Sequence, residues 1–97
     1  MVKRLTSVFT DNMGNCIFTG SPYVERHHIF GGCYRGKSEK YGFVVPLRYD
    51  LHPNGARVNP KYRRQVDDYL KKMAQEYFER HYGSRDEFME IFGRSYL

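Results

Sequence analysis

"YVERHHIFGG" spans residues 23–32 and places His27 and His28, two of the four histidines in the chain, side by side. Its aromatic and β-branched ends, Tyr23, Val24, Ile29 and Phe30, predict a strand over 23–30 that Gly31 and Gly32 break. Neighbouring side chains on a strand point to opposite faces. His27 and His28 are therefore expected to hold different roles, either flanking a substrate or dividing into metal ligand and proton acceptor.

Residues 31–42 read as a glycine-rich basic loop carrying Arg35, Lys37, Lys40 and Tyr41. "FVVPL" (43–47) is a short apolar strand whose proline suits an edge or a strand end. "RYDLH" (48–52) suggests a helical turn with Arg48 and His52 on one face, closed by Pro53, Asn54 and Gly55. Upstream, residues 1–15 read as an irregular strand or hairpin leading to Cys16, and "CIFTG" followed by Ser21-Pro22 reads as a turn.

Downstream the periodicity changes. Asn59 suits a helix N-cap and Pro60 the first helical position. Tyr62, Val66, Tyr69, Leu70, Met73, Ala74, Tyr77 and Phe78 then recur at steps of three and four as one apolar stripe. Arg63/Asp67, Arg64/Asp68 and Lys72/Glu76 pair opposite charges four apart on the other faces, Gly83 stops the helix, and His81 suits its negative end. Ser84 and Glu87 form a capping-box pattern that opens a short last helix with Phe88, Ile91 and Phe92 apolar, ended by Gly93. The fold class expected is α+β, with two strands and a short helix around the histidines.

The 97 residues suit one domain, with nine tyrosines and seven phenylalanines supplying core bulk. No apolar run approaches membrane-span length and no signal-like leader opens the chain, so a soluble, cytoplasmic protein is expected. Cys16 and Cys33 are too few for a disulfide scaffold or a complete zinc knuckle and read as reduced thiols. Residues 1–64 hold 11 Lys/Arg against 4 Asp/Glu, whereas residues 65–97 hold 5 against 7. That asymmetry points to a polyanionic partner for the N-terminal two-thirds. Arg35, Lys37, Lys40, Arg48 and Arg57 are the candidate phosphate contacts, and a solvated basic loop is the alternative. Glu25 suits an ion pair with Arg26 or a lysine, or a hydrogen bond to a metal-bound imidazole.

Cutting a phosphodiester needs a deprotonated water, a counter-charge for the pentacovalent phosphate and help for the departing O3′. An imidazole can take the water's proton near neutral pH, and a divalent ion held by two others can supply the charge. His52 follows His28 by 24 residues, across one basic loop and one strand, so a hairpin followed by a returning helix would bring it close to the pair.

"ERHHIF…FVVPL…LH" resembles the HNH nucleases of the ββα-metal (His-Me finger) superfamily, in particular short phage- or prophage-type members. The resemblance covers about residues 16–59, with the helical part 60–97 similar to the tails of such proteins. It implies a single HNH-like domain over 1–97, with His28 as general base and His27 and His52 as ligands of one divalent ion. Mg²⁺ and Mn²⁺ suit that site, and Ni²⁺, Co²⁺ or Zn²⁺ are compatible with imidazole ligands. The implied partner is nucleic acid, DNA first, with a host or phage protein as a further one and no membrane.

The chain departs from the family pattern at three points. Phe43 stands where the motif Asn braces the base, which leaves Ser38 or a backbone carbonyl to orient His28. Of the zinc-knuckle positions only Cys16 is kept, with Thr19, Arg48 and Leu51 at the others, so no structural zinc is expected. Arg57 stands near where some relatives carry a further histidine. The expected activity is metal-dependent hydrolysis of DNA with little sequence specificity. The alternative is an inactive HNH-like module that binds nucleic acid or a host nucleoprotein.

Overall fold

The structure is a computed structural model that describes residues 7–48 and 60–97, with residues 60–63 as backbone only. Its elements in chain order are β1 (Val24–His28), a 3-10 turn (Gly32–Tyr34), α1 (Arg35–Tyr41), β2 (Val44–Arg48), α2 (Pro60–His81) and α3 (Arg85–Phe92). The α+β class expected from the sequence is thus found. The helical turn predicted at 48–52, the Asn59 cap and the Tyr62 side chain lie outside the described residues.

β1 and β2 pair antiparallel, with Arg26 opposite Pro46, His27 opposite Val45 and His28 opposite Val44. A two-stranded sheet consists of edges only, which is why a proline is tolerated mid-strand. The outer edge of β2 is covered by the N-terminal segment: Val8 N donates to Gly42 O and Ile17 N to Pro46 O, both at 3.0 Å. Its described part, residues 7–23, is built of turns and bends, without the strand or hairpin expected over 1–15; residues 1–6 lie outside the described residues. The segment's side chains, through short local bonds such as Gly14 N to Asn12 Oδ1 at 3.1 Å, satisfy the backbone in place of a ladder partner.

Facing pairs share a side of the sheet, so His27 lies on the face of Val45, whereas Arg26 and His28 lie on the other. Val45 and Leu47 join Ile29, Phe30 and Phe43 in the core, against Leu70, Ala74 and Phe78 of α2 and Phe88 and Phe92 of α3. The α2 stripe holds with one correction. Tyr69 is 57 % exposed and meets Phe18 edge-on, because it lies one position before Leu70 and so turns past the buried line. Asp67 accepts from Lys71 one turn further on.

α3 opens with the predicted capping box: Ser84 Oγ accepts from Glu87 N, and Glu87 Oε1 accepts from Ser84 N. It closes at Gly93, whose φ of +90° needs a glycine. Buried Gln75 ties the chain end to α2, donating to Glu79 and Ser95 and accepting from Tyr96 N at 2.6 Å.

The largest departure lies between the strands. Residues 31–42 are not a loop but a 3-10 turn continuing into α1. Gly42, at φ +76°, ends the helix in the left-handed conformation and sends the chain back into β2.

Candidate functional site

Ser38 sets the geometry of the site. It is wholly buried, accepts from Phe30 N at 3.0 Å and donates to Phe30 O at 2.8 Å. Its own carbonyl accepts from Phe43 N at 2.7 Å, and Phe43 O accepts from Ile29 N at 3.0 Å. The helix is thereby fastened to the end of β1 and the start of β2. With Ser38 turned inward, the next side chain, Glu39, reaches the β1 face that carries Arg26 and His28.

Glu39 meets both. Arg26 donates to it twice, from Nε to Oε1 at 2.9 Å and from Nη2 to Oε2 at 2.7 Å. His28 Nε2 lies 2.8 Å from the same Oε1. The Arg26 guanidinium, with a smaller contribution from His28, outweighs burial and holds the Glu39 carboxyl down at about 2. The same contact raises the Arg26 pKa. Two strand residues on one face, two positions apart, therefore share one carboxylate. The His28 side chain keeps 15 % of its surface exposed.

This corrects two expectations. Ser38 does not orient His28, because its hydroxyl is used at both polar groups of Phe30. The orienting group is Glu39, which sequence reasoning missed. Arg26 pairs with Glu39, not with Glu25, which faces the other side of β1 and is exposed. A signal for Glu39 was present in the sequence: it is the one acid between Arg26 and Arg48, amid Arg35, Lys37 and Lys40.

The pair of histidines is divided as the strand reading requires. His28 meets Glu39, and His27 is buried on the opposite face beside the position of Val45. Among the described residues no three His, Cys, Asp or Glu side chains gather as a metal site. They offer one candidate ligand, His27, and one imidazole is too few to hold a divalent ion. His52, the expected second ligand, and Arg57 lie outside the described residues.

Phe43, which the resemblance sets at the place of the motif Asn, is fully buried amid the rings of Phe9, Phe30, Tyr41, Tyr77, Tyr82 and Phe92. Around Cys16 the structure joins three of the positions that the resemblance marks. Burial opposes ionisation of its thiol, but hydrogen bonds from the Thr19 side chain and the Arg48, Phe18 and Thr19 backbone outweigh it and hold the thiol below its usual range. Leu51, the fourth position, lies outside the described residues. Cys16 and Cys33 are both free thiols.

The basic residues of α1 are exposed but differ in engagement. Lys37 Nζ donates to Ile91 O at 3.0 Å near the C-terminal end of α3 and lies over the Tyr34 ring, while Lys40 lies over the Tyr41 ring. Lys37 is thus a tie between two helices, so the loop reading of this cation is replaced by a structural contact. Arg35 is exposed at the start of α1, and Arg48 is half-buried at the end of β2. His81, as expected, closes α2, its ring tilted at 35° and 4.3 Å from that of Tyr77. No described helix is long and apolar enough to cross a membrane. Compared with family models, curated proteins and solved structures, the chain matches none.

Proposed function

We propose that the chain is a small metal-dependent endonuclease of the ββα-metal (HNH) type that hydrolyses DNA phosphodiester bonds with little sequence specificity. One observation carries the reading: His28, at the end of β1 and partly exposed, has one ring nitrogen occupied by an ionised carboxylate and the other edge left for chemistry. An imidazole oriented by a carboxylate is an arrangement that suits general-base catalysis.

In this reading His28 takes a proton from the attacking water. A divalent ion held by His27 and His52 supplies positive charge for the developing phosphate and the departing oxygen. Arg35, Lys40, Arg48 and Arg57, with Lys37 to the extent that its tie to Ile91 releases, contact backbone phosphates without reading bases. A phage-encoded enzyme working in the host cytoplasm is the setting that the resemblance implies.

Phe43 favours a second reading. A core phenylalanine at the motif Asn position suits a chain that keeps the fold and the basic surface as a nucleic-acid or nucleoprotein-binding module without turnover. Plasmid nicking across Mg²⁺, Mn²⁺, Co²⁺, Ni²⁺ and Zn²⁺ separates the two. The nuclease reading expects nicking that chelator and His28→Ala both abolish. Salt-sensitive DNA binding with no cutting under any of these ions refutes it in favour of the module.

A further inference from the structure

The contact among Arg26, Glu39 and His28 decides which imidazole nitrogen is left to act. Both Glu39 oxygens accept from Arg26, and Oε1 also faces His28 Nε2 at 2.8 Å. A carboxylate held ionised by a guanidinium has no proton to donate. At that separation the hydrogen between the two must therefore sit on Nε2. In the neutral ring the lone pair is then on Nδ1. Arg26 matters because it keeps Glu39 an acceptor, and Ser38 matters because it holds the turn of α1 from which Glu39 reaches β1.

We propose that Glu39, clamped by Arg26, is a positioning residue that fixes His28 in the Nε2–H tautomer and leaves Nδ1 as the proton-accepting nitrogen. The tautomer rests on geometry alone, and its use in hydrolysis rests on the nuclease reading above. In that use a water O–H bond breaks and its proton passes to Nδ1. The hydroxide oxygen bonds to phosphorus, the P–O3′ bond breaks, and the departing oxygen takes a proton from solvent. Glu39 then faces an imidazolium, whose charge it offsets.

Two measurements on the full chain test this. The first is long-range ¹H–¹⁵N correlation of the His28 ring above the ordinary imidazole titration range. Wild type should show a protonated Nε2 with slowed hydrogen exchange and an unprotonated Nδ1, and Glu39→Gln should lose the slow exchange and mix the tautomers. The wild-type spectrum suffices to overturn the assignment if Nδ1 carries the hydrogen, whatever the folding of the variant. An Nε2–H whose exchange is the same in a folded Glu39→Gln variant also overturns it.

The second is nicking kinetics, in which Glu39→Gln should lower kcat roughly tenfold or more with little change in KM. Unchanged kcat in an active wild-type background overturns the positioning role. A chain that cuts nothing, yet shows the Glu39-dependent Nε2–H, refutes the nuclease reading and retains the positioning assignment.

Discussion

Replacing Ser38 by alanine should destabilise the protein more than its size suggests. The hydroxyl is fully buried and bonds to both polar backbone groups of Phe30, itself buried. Alanine leaves the Phe30 N–H and C=O without that partner in a site closed to water. An unsatisfied buried group costs about 1–3 kcal/mol, and removal of the buried hydroxyl offsets part of two such terms. The net loss should be about 2–3 kcal/mol. For a domain of this size that lowers Tm by roughly 8–24 °C. Urea unfolding followed by circular dichroism measures it, with the slope against denaturant unchanged and the midpoint lowered. Ser84→Ala, which removes an exposed cap, gives the scale of an ordinary serine and should cost about 1 kcal/mol. A Ser38→Ala loss below about 0.5 kcal/mol would show that Phe30 finds other partners and that Ser38 does not hold α1 to β1.

Gly93→Ala should cost about 1–3 kcal/mol, because the residue sits at φ +90° and an added Cβ would stand 2.6 Å from Tyr34 Oη. Gly31→Ala, which meets nothing within 4 Å, should change stability by less than about 0.5 kcal/mol in the same melts, and equal effects at the two sites would refute the argument. Acid stability should depend on Glu39, whose carboxyl is lowered from the usual 4.5 to about 2. A depressed carboxylate contributes stability that is present above its unfolded pKa and lost as pH falls through the folded one. The advantage of wild type over Glu39→Gln should therefore shrink across the window from about 4.5 down to about 2. Solvent screening of a partly exposed group holds that advantage to about 1 kcal/mol, and a gap between the two unfolding curves that stays constant through the window would contradict the ion pair.

The elements with a long period or a complete local signal were legible in the sequence. α2 follows from the spacing of Leu70, Ala74 and Phe78, and α3 from Ser84, Glu87 and Gly93. The two strands were legible to within a residue or two, from apolar runs bounded by glycine and proline. α1 was not. Seven residues give about two turns, too few for a repeating stripe, and Gly31, Gly32 and Gly36 around its start read as loop chemistry. Its one buried residue is a serine, so the feature that anchors it carries no hydrophobic signal. The site suffered for the same reason. The strand rule separated His27 from His28 correctly, but the partner of His28 sits on the helix that went unread, one residue beyond the serine proposed for its role.

The same local arrangement accounts for Phe43. A polar residue at the start of β2 is useful to an HNH-like site when the turn before it needs a brace. Here the brace runs through α1 instead: Ser38 ties the backbone of Phe30 and Phe43, and Glu39 ties Arg26 and His28. Position 43 is then free of that duty, and its side chain fills the junction between the sheet, α2 and α3, where six other aromatic rings have centroids 5.9–6.4 Å away. A small domain with a modest core gains from a large ring at that junction. An asparagine there would bury an amide among aromatic rings, and burial of an unpaired amide is unfavourable. On the proposed nuclease reading, Glu39 of α1 takes the orienting duty that the resemblance gives to position 43, four residues downstream, and the Phe43 side chain serves the core.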